Sequence, residues 1–198
     1  MGVQFCESKT KENLMKAFAG ESQARNRYTL AAQKAHEQNL QVLEEVFKYT
    51  ADQEMAHAKV FYEFLTECSG ENIEITGTYP VDISESLAEL LEMAEHNENE
   101  EHDKVYKEFE EVAKEEGFDE IARKFSLIAK VEQMHANRFG EFKRWMESNE
   151  LFISQVSTTW MCLNCGHTFE AKETPKICPL CGENQGYFVR VYLAPYSK

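Results

Sequence analysis

Twice in this chain an acidic residue and, three positions later, a histidine stand where an amphipathic helix would otherwise place leucine: Glu54-x-x-His57 and Glu132-x-x-His135. The stripe around the second pair runs Ile121, Phe125, Ile128, Glu132, His135, Phe139, Phe142, Met146, in steps of three and four residues, the spacing of one buried helical face. Leu43, Phe47, Thr50, Glu54, His57, Phe61 and Phe64 repeat it. A third stripe follows Leu87, Leu91, Ala94, Glu98, Glu101, Val105 and Val112, and a weaker first one follows Leu14, Phe18, Glu21, Tyr28, Ala32 and Ala35, with Arg25 interrupting it. Glu21, Glu54, His57, Glu98, Glu101, Glu132 and His135 therefore occupy core positions. Burying even one unpaired carboxylate is costly, and five that converge also repel one another. They must be protonated, paired with cations or bound to metal, and Arg25 is the one basic residue that shares a stripe.

The connections order these helices. His36–Leu40 and Glu116–Asp119 are short enough for antiparallel hairpins, whereas Cys68–Ile83 is long and contains Gly70, Gly77 and Pro80, so two hairpins joined by a crossover are expected. That is the ferritin-like topology. Glu21 precedes Glu54 by 33 residues and Glu98 precedes Glu132 by 34, the mark of an internal repeat with approximate two-fold symmetry. Beyond Ser148 the period stops, and Leu151–Val156, Trp160, Phe169, Tyr187, Phe188, Val189 and Val191 suggest short strands. The expected fold is mainly α: a ferritin-like four-helix bundle over residues 1–150, then a small β rubredoxin-like metal-binding domain over 157–198, with a linker near Ser154–Thr158.

The formal net charge of −14 argues against a nucleic-acid partner, because phosphate backbones reward neutralising cations. An acidic surface suits cations and basic proteins instead. No apolar run approaches a spanning helix, and Met1–Thr10 has neither a basic start nor an apolar core, so no membrane contact and a cytoplasmic location are expected. Four of the six cysteines form two CxxC pairs, which in such a setting indicate metal rather than disulfides. Cys6 and Cys68 are expected to be ordinary thiols, since nothing in the sequence places them near a base or each other.

Spacing favours metal over mere ion pairing, because Glu-x-x-His projects both side chains inward from adjacent turns. Two such pairs on facing helices plus a Glu from each of the other two make a di-iron or di-manganese set. Two ferrous ions carry +4 and balance Glu21, Glu54, Glu98 and Glu132, leaving neutral His57 and His135 as the remaining ligands. Glu101 has no counterpart in the first half, where Ala24 stands at the matching place; two ferric ions would welcome this fifth carboxylate, so an exchange of Glu101 with His57 at one iron is expected as the site cycles. Tyr28 and Tyr106 lie seven and eight residues after Glu21 and Glu98, where each phenol either hydrogen-bonds a ligating carboxylate or simply packs in the core. The acidic run Glu92–Glu116 otherwise reads as a solvated face. His36, His96 and His102 are expected to be exposed, and His167 to be a turn residue.

Cys162-Leu-Asn-Cys165-Gly166 and Cys178-Pro-Leu-Cys181-Gly182 form two matched knuckles around one tetrahedral metal. Thiolates alone fit iron or zinc. Iron is favoured because a one-electron carrier has an obvious use beside a two-electron di-iron site.

Taken together, Ala19-Gly-Glu-Ser-Gln-Ala-Arg-Asn-Arg-Tyr28, Asp52-Gln-Glu-Met-Ala-His57, Val105-Tyr-Lys-Glu-Phe109, Glu115-Glu-Gly-Phe-Asp-Glu-Ile-Ala122 and Trp160-Met-Cys-Leu-Asn-Cys-Gly166 make the whole chain resemble rubrerythrin. The resemblance implies a peroxidase that reduces hydrogen peroxide to water at a diferrous site in oxidative-stress defence. It implies three irons per chain: a di-iron site at Glu21, Glu54, His57, Glu98, Glu101, Glu132 and His135, served by Tyr28 and Tyr106, and one iron at Cys162, Cys165, Cys178 and Cys181. It also implies a homodimer in which one subunit's thiolate iron serves the other's di-iron site, and electrons from rubredoxin or an NAD(P)H-dependent reductase. Where similar proteins commonly carry Glu-Glu-Trp this chain has Glu100-Glu101-His102, and Met134 stands where an acidic residue is frequent. Two other functions compete. One is a ferroxidase or iron-handling protein built on the same bundle; the other is a zinc-ribbon interaction protein with a purely structural bundle.

Overall fold

The computed structural model describes residues 3–194. Helices α1 (Lys9–Glu37) and α2 (Gln41–Glu63) form one antiparallel hairpin. After the crossover, α3 (Leu87–Glu100) runs through a π-helical turn, Glu101–Val105, directly into α4 (Tyr106–Glu115), and this continuous helix pairs with α5 (Asp119–Glu147). The first turn of α1 is capped twice. Ser8 accepts from the Lys11 amide at 3.0 Å, and Glu116, from the α4–α5 turn, accepts from the amides of Lys9 and Thr10 at 3.0 and 2.8 Å, so otherwise unpaired amides at the helix start are satisfied. Ser86 caps α3 in the same way. On the crossover, Asp82 pairs with Arg27 of α1 and accepts from Asn97 of α3 at 2.8 Å. One carboxylate thus ties the two hairpins together.

The π-turn corrects the third stripe. Val105 and Val112 are half-buried, while their neighbours Tyr106 and Ala113 take the core positions. A π-turn holds one residue more than an α-turn, so every side chain beyond it is displaced by one position around the helix. The same extra residue accounts for the unequal spacings of 33 and 34, because the turn lies between Glu98 and Glu132.

Two aromatic layers bracket the middle of the bundle. In one, Tyr28, Phe47 and Phe139 meet with ring centroids 5.0–6.2 Å apart; in the other, Tyr106, Phe61 and Phe125 meet at 5.0–5.9 Å. All six are buried. Each ring of one layer is the repeat's counterpart of a ring in the other, so the internal duplication builds two matching apolar plugs with the acidic residues between them.

Strands β1 (Ile153–Cys162), β2 (Thr168–Glu173) and β3 (Phe188–Arg190) form an antiparallel sheet in the order β2-β1-β3. The expected linker at Ser154–Thr158 is not free chain. It is extended within β1, at the interruption of β1–β2 pairing between Ile153 and Thr158. The sheet docks firmly: Val189 and Ala194 join the apolar cluster around Tyr28 and Phe139, and Arg190 lies over the rings of Trp145 and Trp160 at 3.7 and 4.8 Å. A side chain at Gly186 would come within 2.0 Å of the Asn39 carbonyl in the α1–α2 turn, so the approach itself demands glycine.

Three further expectations are revised. Arg25 is exposed, so the first stripe is uninterrupted and Ala24 fills the core position. His102 is half-buried, and its Nδ1 contacts the Ala129 carbonyl at 2.6 Å. Cys6 and Cys68, far apart in sequence, meet with their sulfurs 2.9 Å apart.

Candidate metal centres

Four helices each deliver a carboxylate to the space between the aromatic layers: Glu21 from α1, Glu54 from α2, Glu98 from α3 and Glu132 from α5, all 1% exposed or less. His135 is fully buried, while the His57 side chain is 12% exposed. Glu54 lies between the imidazoles, with Oε1 2.9 Å from His135 Nδ1 and Oε2 3.1 Å from His57 Nδ1. Glu132 repeats this from the opposite side, at 2.8 Å to His135 and 3.1 Å to His57. Glu21 reaches only the His57 side (3.7 Å) and Glu98 only the His135 side (3.4 Å). The result is two adjacent donor sets that share two carboxylates: Glu21, Glu54, His57, Glu132 and Glu54, Glu98, Glu132, His135.

The donors fit a pair of divalent cations. Glu21 Oε2, Glu54 Oε1, Glu98 Oε2, both Glu132 oxygens and His135 Nδ1 are buried with no hydrogen-bond partner, although they crowd within contact distance. Atoms close together but not aligned for hydrogen bonds are arranged for a shared cation, since buried polar atoms are otherwise satisfied. The electrostatics agree. Burial, reinforced by Glu132, pushes the Glu21 carboxyl up, and burial with Glu54 pushes Glu98 to about 8. Burial also acts on Glu54, but His135 and His57 outweigh it and hold that carboxyl at about 2. Burial lowers His135, yet Glu132, Glu54 and Glu98 overcome it and lift the ring to about 12. The cluster therefore demands positive charge, and four carboxylates match the +4 of two divalent ions.

The surrounding groups orient the donors. Tyr28 donates to Glu98 Oε1 and Tyr106 donates to Glu21 Oε1, so each phenol serves the carboxylate of the other half rather than the one on its own helix. Gln53 Oε1 faces His135 Nε2 at 3.1 Å and is held by Arg138, which also donates to Thr50 at 2.8 Å. This bond commits His135 Nδ1 to the centre. Sequence reasoning missed Gln53 and Arg138. A usable signal was Thr50, a polar residue one turn before Glu54 in an otherwise apolar stripe.

Glu101 stands outside both donor sets. It is half-buried and lines a cleft of about 290 Å³ with Gly20, Tyr79, Lys104 and Tyr106. Burial, followed by Glu21 and Glu98, raises its carboxyl well above the usual range. His57, by contrast, lies inside.

In the C-terminal sheet domain, Cys162, Cys165, Cys178 and Cys181 gather their sulfurs within 4.8 Å of one another. Cys162 and Cys181 are 3.8 Å apart, and Cys165 and Cys178 are 3.7 Å apart. A tetrahedron with metal–sulfur bonds of ~2.3 Å has edges of about 3.8 Å, so the set matches one four-coordinate ion. Gly166 and Gly182 adopt φ of 72° and 82°, which only glycine does readily, and return their amides to the carbonyls of Cys162 and Cys178 at 2.8 and 3.0 Å. The thiols differ. Burial pushes Cys162 up to about 12, while the Asn164 side chain and the Glu183 amide hold the exposed Cys181 at about 6.

Comparison with known proteins agrees with both centres. The family model described as Rubrerythrin matches residues 12–143, and that described as Rubrerythrin, rubredoxin-like domain matches residues 160–189. The chain is 44% identical to the rubrerythrin of Porphyromonas gingivalis, covering 91% of this chain and 89% of that protein. It is 42% identical to rubrerythrin-1 of Clostridium acetobutylicum, covering 91% and 93%. Among solved structures, the fully reduced, all-ferrous state of nigerythrin superposes with a TM-score of 0.62 at 26% identity, covering 93% of this chain and 90% of that one. The bacterioferritin of Desulfovibrio desulfuricans superposes with a TM-score of 0.63 at 26% identity, covering 72% of this chain and 82% of that one.

Proposed function

We propose that this chain, which belongs to the rubrerythrin family, is a peroxidase that reduces hydrogen peroxide to two waters at the di-iron site of its bundle, drawing electrons through the iron of its four-cysteine domain. The observation that carries the proposal is the double set of donors around Glu54 and Glu132. Each of these carboxylates presents one oxygen to the His57 side and one to the His135 side. When bound, the iron pair supplies the two electrons that cleave an O–O bond.

The chain's own residues do the rest. Glu54 and Glu132 would each serve both ions, and Glu21 with His57 and Glu98 with His135 would complete the two donor sets. The aromatic layers exclude bulk water above and below, which strengthens every charge interaction between them. The hydroxyls of Tyr28 and Tyr106 keep protons at oxygens of Glu98 and Glu21, near where two waters must form. The cleft beside Glu101 has a mixed lining, with Arg27, Glu101 and Lys104 beside Val105 and Phe109, and suits a small neutral oxidant such as peroxide. Glu101 would be the carboxylate available to exchange with His57 at a ferric pair, since it lines the cleft beside the site, where burial, followed by Glu21 and Glu98, raises its carboxyl well above the usual range.

The four-cysteine iron on the same chain favours a turnover enzyme over a ferroxidase, because a one-electron relay has no role in simply depositing ferric ion. We further propose a cytoplasmic homodimer, with one subunit's thiolate iron serving the partner's di-iron site, and rubredoxin or an NAD(P)H-dependent reductase as donor. Among the described residues, no helix is long and apolar enough to cross a membrane.

The test is anaerobic titration of fully reduced protein with peroxide. Stoichiometric reoxidation by one peroxide per di-iron site, with iron retained through repeated cycles of reductant, supports the proposal. Ferric iron released or accumulated, with oxygen the faster oxidant, would replace it with the ferroxidase function.

A further inference from the structure

The first helical hairpin is open at one end, where α1 begins and α2 finishes, and there two cysteines face each other. Cys6 lies in the 3-10 turn Phe5–Glu7 that leads into α1, and Cys68 ends the 3-10 turn Phe64–Cys68 that follows α2. Their sulfurs are 2.9 Å apart although 62 residues separate them in sequence. A bond length of ~2.05 Å requires less than about 1 Å of further approach. Both backbones are anchored: Lys11 Nζ donates to the Cys6 carbonyl at 2.6 Å, and the Glu71 amide donates to the Cys68 carbonyl at 3.1 Å. Phe5 packs edge-on against Phe118 from the α4–α5 turn at 5.5 Å, which holds the Cys6 turn against the bundle. Neither thiol belongs to the metal centres.

We propose that Cys6 and Cys68 form a disulfide driven by peroxide, closing a covalent loop around the hairpin that carries Glu21, Glu54 and His57. Cys6 is half-buried and Cys68 is 4% exposed, so the oxidant meets Cys6 first. Cys6 loses its proton to solvent and its sulfur attacks one peroxide oxygen. The O–O bond breaks, and the departing hydroxide takes up a proton as the first water. Cys6 is then a sulfenic acid. Burial, and then Cys6 itself, push the Cys68 thiol up to about 11, so Cys68 retains its proton until the second step. Its sulfur then displaces the hydroxyl from Cys6 as the second water, and the S–S bond forms. Two thiols lose two electrons and one peroxide becomes two waters. The step uses no iron, so it stands or falls apart from the di-iron chemistry.

The product closes the otherwise open end of the hairpin, which holds three of the bundle's donors, and fixes the point from which the crossover departs. Under peroxide that outruns the metal centre, the bundle is thereby made harder to open.

The test uses the full, iron-loaded protein with its thiols reduced. After several equivalents of peroxide, free thiols are alkylated and the digest is mapped by mass spectrometry. The expected result is a peptide pair joined through Cys6 and Cys68, two hydrogens lighter than the separate thiols. The melting temperature should rise by about 10 °C, the shift expected for closing a loop of this length, and dithiothreitol should reverse it. Cys6→Ser, a partly exposed and isosteric change, should keep the reduced protein's melting temperature and abolish both the linked pair and the rise. Full alkylation of both cysteines after the irons have reoxidised would overturn the proposal. So would separate oxidation of the two to sulfinic acids, or a linked pair that forms with diamide but not with peroxide.

Discussion

The two halves of the bundle are nearly the same device, built once with an uninterrupted helix and once with an extra residue. In the first half α1 runs without a break from Glu21 to Tyr28; in the second, the path from Glu98 to Tyr106 includes a π-turn. Both tyrosines nevertheless end in equivalent places, each donating to the other half's glutamate within its own aromatic layer. The insertion leaves the far end of the helix in register and changes only the local segment. That segment carries Glu101, where the first half has the fully packed Ala24. Symmetry thus supplies the paired donors, and its interruption at the π-turn supplies the cleft and the extra carboxylate.

The strongest way to break this comparison is to remove what the halves share. Glu132→Ala should empty both donor sets, lowering iron from three atoms per chain to one while the thiolate iron keeps its visible colour. Cys178→Ser should do the reverse, leaving two and removing the colour; metal analysis with visible spectra checks both. If Glu132→Ala loses only one bundle iron, the sharing of carboxylates is wrong.

Deleting Asp103, an exposed residue of the π-turn, should make the halves equal in length. The expected outcome is a folded protein with three irons, Tyr106 still bonded to Glu21, and peroxide-driven reoxidation slower by about tenfold, because Glu101 loses the local geometry that sets it beside the site. Unchanged kinetics would deny the π-turn a functional role.

Tyr28→Phe and Tyr106→Phe sharpen the comparison more finely. Each removes a buried hydrogen bond to a carboxylate, expected to cost about 2 kcal/mol. The two losses, read by denaturant unfolding of the iron-loaded protein, should agree closely. A marked inequality would show that the π-turn alters the second half more deeply than its geometry suggests.

The smallest effect concerns the caps. Glu116→Gln weakens the acceptor at the start of α1 and should destabilise by about 1 kcal/mol. The Glu116 carboxyl is held below its usual range because the Thr10 hydroxyl and the amides of Lys9 and Thr10 outweigh its burial. Its contribution is therefore present above the unfolded carboxylate's titration and is lost as pH falls through the lowered folded value. The variant's stability deficit should shrink in that acid window.

Much of the site was legible because its donors interrupt apolar periods. A Glu or His among Leu and Phe at core spacing is conspicuous, and two in register are more so. The π-turn was written in the sequence too, in spacings of 34 against 33 and eight against seven, yet equal α-helical steps assigned Val105 and Val112 to the core in place of Tyr106 and Ala113. His102 was misplaced for a related reason, since it lies within that turn. Gln53 and Arg138 left little trace, because a polar residue beside a stripe usually faces solvent. Cys6 and Cys68 left none, because no periodicity links residues so far apart.

The amino-acid sequence by itself determined which side chains share a helix face, where the helices stop, and which cysteines form knuckles. Those properties depend on neighbours a few residues away, through the fixed pitch of a helix or the φ available to glycine. Only the tertiary structure decided that Glu54 and Glu132 are shared between two donor sets, that each tyrosine crosses to the opposite half, that Glu101 waits outside while His57 lies within, and that two distant thiols touch. Contacts between helices depend on their relative rotation and depth of packing, and those are settled by the whole core at once.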